Sequence, residues 1–422
     1  MIFMNKGGEI LAKNKQFDIK EFIQEFRKYL IQKYGMKWKK TYIPFKLLEN
    51  YTEYFMMLGE RSDGKTYIVL EMILYLYLKY GFTGALIRRW ETDIKGATGL
   101  SLIKNLIGTN QIVIDRTKGK WNNAVQEMSN GQFDTIIYKS RCYYLGKSTI
   151  NENGKRETIC EQNPFLNAFA LSQEEHNKGG GFESIKIILF DEIISRDSYL
   201  IDEFVSYMNT LSTIIRRRDD VAIFMCGNTI NRYSPYFDEM GLKHVKNQQS
   251  GTIDTYEYIH EDSESHETTT SHLQVELIDY VSKEHKKSNK YFCFDNPKIK
   301  MITDGKWEMS IYPRCPNHYL PKDVKYKYFI IFDNEKFMCE IVWLKDNTFT
   351  FIHPHTKEIE IKNDTLIFDL NGDINPHIRK RITKPFDELG KLIASYFTKD
   401  IVCYSSNAVG ESIRNYIEQC AM

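Results

Sequence analysis

The chain has 422 residues, 57 Lys and Arg against 56 Asp and Glu for a net charge of +1, with 42% apolar and 14% aromatic residues. That length is too great for one ordinary core and the apolar content too high for a disordered protein, so two folded domains joined by a connector are expected. Balanced charge excludes a whole-protein field for polyanions and leaves any nucleic-acid contact to local basic patches.

The eight cysteines, at 142, 160, 226, 293, 315, 339, 403 and 420, form no CxxC pair. They fit free thiols in a reducing cytoplasm. Met1 to Lys6 lacks a sustained apolar core, and no stretch approaches the about 20 apolar residues of a membrane helix. Neither a signal peptide nor a membrane partner is expected.

Residues 17–35 space apolar side chains at three and four and stop at Gly35, which predicts an amphipathic helix inside an N-terminal extension, 1–45. Tyr54–Leu58, ending at Gly59, predicts a buried strand. The run after Thr66, YIVLEMILYLYLKYG, predicts a largely buried helix, and Thr83–Ile87 a second strand ending in Arg88 and Arg89. Strand, helix, strand implies a parallel sheet. Between 110 and 165 short apolar runs alternate with turns, and Asn151-Glu152-Asn153-Gly154 signals a hairpin, together a small β insertion. Ser184–Phe190 is the clearest strand of the chain, followed by a helix near 200–215 and the strand Val221–Cys226. Residues 249–272, polar, acidic and rich in Ser and Thr, predict a mobile loop rather than a folded element. The first domain is thus assigned to 1–282, a connector to 283–318 and a smaller α/β domain to 319–422. In the latter, Lys327–Phe332, Phe337–Trp343 and Phe349–Ile352 read as adjacent strands and 376–422 as helical.

Gly59-Glu60-Arg61-Ser62-Asp63-Gly64-Lys65-Thr66 fits GxxxxGK[ST] between a strand and a helix. The glycines let the backbone aim N–H groups at phosphate oxygens, Lys65 reaches the β- and γ-phosphates, and Thr66 offers a hydroxyl to Mg²⁺. ATP and Mg²⁺ are therefore the expected ligands; the plain alternative, a Gly-rich turn binding nothing, does not account for the context. A second strand must bring a carboxylate to the metal. Asp191, after Ile185–Phe190, is the expected Mg²⁺ ligand, and Glu192 the group that polarises the attacking water. The adjacent glutamate, and a stretch from Lys65 to Asp191 long enough for a strand between the two motif strands, indicate an α/β P-loop NTPase of the additional-strand, catalytic-glutamate type with a parallel central sheet.

Asn228 closes a strand in Gly227-Asn228-Thr229 and is a candidate for sensing the γ-phosphate or orienting water, against a plain turn residue. Arg88 and Arg89, at a similar strand end, are candidates for phosphate or base, or else surface arginines. Arg216-Arg217-Arg218 is a candidate arginine finger acting on a neighbour's nucleotide, Arg216 ahead of Arg218, against a solvated basic turn.

The segments GERSDGKTY, LIRRW, YYLGK, ILFDEIISRDSYLIDEF, LSTIIRRRDDVAIFMCGN and Ser234-Pro235-Tyr236-Phe237, in order over about 55–240, resemble the DNA-encapsidation ATPase of small short-tailed bacteriophages of the picovirus group, relatives of terminase large subunits. The resemblance implies a genome-packaging motor in the host cytoplasm: a homo-oligomeric ring, pentameric in relatives, at the portal vertex of a procapsid, moving double-stranded DNA with ATP. It implies Lys65 as the phosphate lysine, Asp191 and Glu192 as the acidic pair and Arg216 as the trans-acting arginine. It also implies a C-terminal RNase H-like domain that has lost its nuclease acids. A packaging RNA serves some relatives. The chain departs from the pattern in its N-terminal extension and in residues 249–272.

A working nuclease needs several carboxylates around two metals; Asp333, Asp369, Asp373 and Glu411 are the candidates, against a remnant scaffold. Arg379-Lys380-Arg381 and Lys384 are candidates for nucleic-acid phosphates or for a solvated face. Cys315, His318, His353 and His355 hold zinc-ligand chemistry without the usual spacing. Alternative functions are a terminase with active nuclease, another ring-forming DNA translocase or helicase, and a non-enzymatic ring component.

Overall fold

Strands buried on both faces read as unbroken apolar runs, and four such strands form the middle of the first sheet: none of them has an exposed residue. The computed structural model describes residues 17–35, 42–61, 63–107, 123–177, 181–195, 199–261, 268–279, 311–315, 318–345, 347–373 and 375–421. The chain divides into two units, Met1–Thr229 with Ser234–Cys293, and Ile230–Tyr233 with Phe294–Met422. The expected connector, 283–318, lies mostly outside the described residues, as do 1–16 and 36–41 of the N-terminal extension.

In chain order the first unit contains α1 (Ile19–Tyr34), β1 (Tyr54–Gly59), α2 (Lys65–Tyr80), β2 (Thr83–Arg88), α3 (Glu91–Ile94), α4 (Gly96–Ile107), α5 (Ala124–Met128), β3 (Thr135–Lys139), β4 (Cys142–Ile150), β5 (Arg156–Cys160) and β6 (Leu166–Ala170). It continues with β7 (Ile185–Asp191), α6 (Glu203–Ile215), β8 (Ala222–Asn228), α7 (Pro235–Glu239), β9 (Thr252–Glu261) and β10 (Thr268–Leu277). Its sheet has the order β3-β4-β6-β2-β7-β8-β1-β10-β9, with β5 paired to β4.

From β6 to β10 all neighbours are parallel. The flanks β9, β4, β3 and β5 are antiparallel, so the sheet is mixed rather than parallel throughout. A strand does separate β1 from β7, but it is β8, which follows Asp191 in the chain. The residues between Lys65 and Asp191 supply β2 to β6 instead, on the other side of β7. The hairpin expected at 151–154 joins β4 to β5, and β4 continues the sheet through β6; residues 110–122 lie outside the described residues.

At 252–261 and 268–272 strands stand where a mobile loop is expected, while 262–267 lie outside the described residues. β9 pairs with β10 from Thr252↔Leu277 to Glu261↔Thr268, and β10 extends the parallel core beside β1. Ser and Thr content suggested a loop, yet Thr is β-branched and favours strands. The sequence TIDTYEYIHE alternates as a half-exposed strand does, and Leu273–Leu277 is buried.

Asp18 caps α1 by accepting from the amides of Lys20 and Glu21 at 2.7 and 3.1 Å, and Gly35 closes it. The helix packs on α2. Phe22, Phe26 and Leu30 join the core, and buried Glu71 of α2 accepts from Tyr29 Oη, Lys33 Nζ and Tyr34 Oη at 2.9, 2.7 and 2.7 Å. Past α1, the backbone N–H of Tyr42 donates to the Asp63 carbonyl at 2.8 Å, while its hydroxyl donates to Glu276 of β10.

The second unit contains β11 (Val324–Phe332), β12 (Glu335–Trp343), β13 (Thr348–Pro354), β14 (Ile367–Asp369), β15 (Ile378–Arg379), α8 (Glu388–Thr398), β16 (Val402–Tyr404) and α9 (Asn407–Ala421). The order is β15-β14-β11-β12-β13-β16, an antiparallel meander flanked by parallel strands. The region expected to be helical, 376–422, thus also supplies two short strands. Tyr328, Ile341, Ile393, Ile413 and Tyr416 lie in its core.

Burial pushes the Glu276 carboxyl up to about 7, with the Tyr42 hydroxyl opposing. The folded protein keeps this proton where the unfolded chain, near the ordinary 4.5, has released it. The contribution is complete below the unfolded value and is lost as pH rises through the folded one. Wild type is expected to lose about 3 kcal/mol relative to Glu276→Gln on going from acid to slightly alkaline pH, read by urea denaturation. A difference between the two proteins that does not change with pH contradicts this.

Candidate nucleotide site

Parallel strands present their carboxyl ends along one sheet edge, and ligands of such sheets bind there. Pairing of Gly59 with Asn228, of Asp191 with Cys226 and of Ile87 with Phe190 brings the ends of β1, β8, β7 and β2 side by side. Gly64, with φ 103° and ψ 8°, turns the chain into α2 in a left-handed conformation that a side chain would strain. Gly59 is needed for space, since a Cβ there would stand 2.6 Å from Asp63 Oδ2.

These elements enclose a cavity of about 500 Å³. Arg61, Asp63, Gly64, Lys65 and Thr66 line it from the loop, Arg88 from β2, Asp191 from the end of β7 and Glu192 just beyond it, and Cys226 and Asn228 from β8. Gly59 and Glu60 do not line it. The Glu60 carbonyl instead accepts from Lys65 Nζ at 2.6 Å. Ser62 lies outside the described residues.

Thr66 Oγ1 donates to Asp191 Oδ1 at 2.8 Å. A hydroxyl beside a carboxylate is a hard-oxygen pair of the kind that holds Mg²⁺ together with water and phosphate. Burial raises the Asp191 carboxyl above its ordinary range, and the Arg88 guanidinium opposes this. Arg88 Nη1 spans the two acids, 3.0 Å from Asp191 Oδ2 and 3.1 Å from Glu192 Oε2. Glu192 itself has φ 62°, a conformation uncommon outside glycine. The ladder resumes immediately, with Ile193 N–H donating to the Cys226 carbonyl at 3.0 Å.

Lys65 is buried and engaged inside the loop. Its Nζ lies 2.9 and 3.0 Å from the two oxygens of Asp63, which is buried as well. Burial raises the Asp63 carboxyl and Lys65 opposes the rise. The motif leaves position 63 free to vary, so nothing in the sequence pattern marked this pair.

Two expected site residues are corrected. Arg89 does not face the cavity: successive residues at a strand end point to opposite sides, and its buried guanidinium meets Glu203 at 2.6 and 2.9 Å. Arg218 is not a free finger. It donates to the carbonyls of Phe182, Glu183, Ile185, Ile214 and Ile215, fastening the end of α6 to the start of β7. Arg216 and Arg217 are exposed, with φ 44° and 63°.

In the second unit, Asp333 occupies the β11–β12 turn, Asp369 ends β14, Asp373 is exposed, and buried Glu411 accepts from Tyr312 Oη at 2.7 Å. Among the described residues no three His, Cys, Asp or Glu side chains stand together as metal ligands, and Cys315, His318, His353 and His355 are included in that. Arg379 pairs with Asp387 at 3.2 Å and lies 4.5 Å from the Phe386 ring; with Lys380, Arg381 and Lys384 it edges a second cavity of about 280 Å³.

No family model matches the chain. It is 21% identical over 199 residues to the DNA packaging protein of Bacillus phage PZA and to that of Bacillus phage phi29, covering 46% of this chain and 48% of each relative. Against the DNA packaging protein of Bacillus phage B103 it is 22% identical over 189 residues, covering 44% and 47%. The chain thus spans about half the length of the curated relatives it matches. It shares a fold with a chain of the bacteriophage Phi-29 viral genome packaging motor assembly, with a TM-score of 0.50 and 17% identity over 90% of this chain and 98% of that one. The resemblance read from the motifs is borne out in sequence and in fold.

Because Asp63 competes for the lysine that a triphosphate needs, Asp63→Asn is expected to lower the nucleotide Kd by about tenfold, the equivalent of about 1.4 kcal/mol. Calorimetric titration with a non-hydrolysable triphosphate checks this. Unchanged or weaker binding would show that the carboxylate holds Lys65 in place rather than away.

Proposed function

We propose that this chain is a P-loop ATP hydrolase that drives double-stranded viral DNA into a procapsid, acting as a homo-oligomeric ring at the portal vertex. The observation that carries the enzymatic part is the 2.8 Å contact between Thr66 and Asp191, with Lys65 and Glu192 on the same cavity. Mg²⁺ would be held by Thr66 and Asp191 and would draw charge from the β- and γ-phosphates.

Lys65 exchanges Asp63 for phosphate oxygens when ATP enters, and the amides at the start of α2 face the same anion. Arg88 is then drawn between the acids and the incoming phosphate. Glu192, exposed on the cavity wall, accepts the proton of the attacking water, and Asn228 orients that water or the γ-phosphate. Arg216 sits at the end of α6, where β8 begins, and so at the sheet edge opposite its own Asp191. A role for it is therefore in trans, neutralising charge on the nucleotide of a neighbouring copy.

DNA and the portal as partners rest on the likeness to DNA packaging proteins of Bacillus phages and to the Phi-29 motor assembly. A packaging RNA is a further candidate partner, and a pentamer the candidate ring. The order β13-β12-β11-β14-β15, a meander joined to parallel strands, supports an RNase H-like second unit. Asp333 and Asp369 lie at the ends of the paired strands β11 and β14, but among the described residues no three such acids stand together as metal ligands, which supports a vestigial rather than a working nuclease.

ATP turnover is measured with and without double-stranded DNA and portal-bearing procapsids. Wild type is expected to turn over, and DNA with procapsids to stimulate it. Glu192→Gln is expected to bind ATP and lose at least about 100-fold in rate, and Arg216→Ala to regain activity when mixed with Lys65→Ala subunits. Normal turnover by Glu192→Gln refutes its role, and failure of every mixing ratio refutes the trans arginine.

A further inference from the structure

The residue after Arg88 has its own task. Arg89 is buried, with 6% of its surface exposed, and its guanidinium is closed in on every side. Nε and Nη2 donate to the two oxygens of Glu203, the first residue of α6. The Tyr199 ring lies 4.7 Å from it, and the Tyr199 hydroxyl accepts from the amide of Ser195 at 3.0 Å. The remaining donors reach the backbone of the acidic loop: Nη1 to the Glu192 carbonyl at 3.3 Å and Nη2 to the Ile193 carbonyl at 3.4 Å.

The first of these carbonyls belongs to Glu192, a residue in the left-handed region, and is one end of the peptide unit whose other end is the Ile193 N–H. Glu192 sits at φ 62°, and its Cβ direction, hence the reach of its carboxylate into the cavity, follows from that angle. Ile193 N–H on the Cys226 carbonyl holds one side of the turn, and Arg89 holds the other. Glu203 in turn is fixed by the Leu200 amide and the Tyr236 hydroxyl, both at 2.8 Å. An ion pair serving only to dock α6 would be complete with Glu203 alone; a planar fork with five donors is what lets one side chain also grip two carbonyls.

We propose that Arg89 is a positioning residue that sets the backbone of Glu192, and that Glu203 sets Arg89, so that the start of α6 and the water-activating carboxylate are held as one piece. This rests on the reading of Glu192 as the water-activating group. Arg89 touches neither phosphate nor water: it acts through residues 192 and 193. Since α6 ends at the exposed Arg216, any shift of that helix is carried through Glu203 and Arg89 to Glu192.

The test uses the full chain with Arg89→Lys, which keeps the charge and loses the fork, and Glu203→Gln, which keeps the shape and loses the charge. Steady-state ATP turnover, affinity for a fluorescent ATP analogue and the thermal midpoint are measured on each. Both variants are expected to lose about 10- to 100-fold in kcat with analogue Kd within about threefold of wild type. In a Glu192→Gln background the same changes are expected to cost no further rate, because the group they aim is already gone. Unchanged kcat in either folded variant overturns the proposal, as does a loss that adds in full to that of Glu192→Gln. If Arg89→Lys does not fold, Glu203→Gln decides. Absence of turnover in wild type would instead strike the hydrolase reading itself.

Discussion

The hydroxyl of Thr66 and the carboxylate of Asp191 come from positions 125 residues apart and meet at 2.8 Å. Everything else in the site is arranged around that contact. It exists because β1 and β7 point the same way, with only β8 between them, so that the loop after β1 folds over the end of β7. Register then does the remaining work: Gly59 opposite Asn228 and Asp191 opposite Cys226 place the polar ends of three strands on one wall. Long-range parallel pairing of this kind delivers residues from across the chain to one edge.

Charge is closed on itself along that edge. Lys65 is matched by Asp63, and Arg88 by Asp191 and Glu192. Buried charges are tolerated when paired and hydrogen-bonded, which explains how so many ionic groups share one cavity. On the proposed reading, a triphosphate with its metal would exchange these partners rather than add to them: phosphate would replace Asp63 on the lysine, and Thr66 and Asp191 would hold the cation in place of the Arg88 contact. Nucleotide affinity would then be tuned by how strongly the internal partners hold, and Asp63, at a position the motif leaves free to vary, is the partner of Lys65.

Much of the site was legible because its parts obey local rules. The GxxxxGK[ST] spacing needs no tertiary knowledge, and an apolar strand ending in Asp191-Glu192 needs little more. What the sequence concealed lies in side-chain direction and in non-local pairing. Arg88 and Arg89 look alike in the chain, yet one faces the cavity and the other binds Glu203 behind it. Composition misled at 249–272: Thr and Ser suggest solvent, but alternation with Tyr and Ile makes a strand once β1 offers an open edge. The length between Lys65 and Asp191 pointed to the right architecture for the wrong reason, since the intervening strand comes later in the chain.

A crystal structure of the chain with a non-hydrolysable ATP analogue and Mg²⁺ addresses the central claim most directly. The account predicts density for the triphosphate under the loop 59–66, a cation touching Thr66 Oγ1 and Asp191, and Lys65 Nζ moved from Asp63 to phosphate. Nucleotide bound elsewhere, or a triphosphate in the cavity with Lys65 still closed on Asp63 and no cation at Asp191, contradicts it.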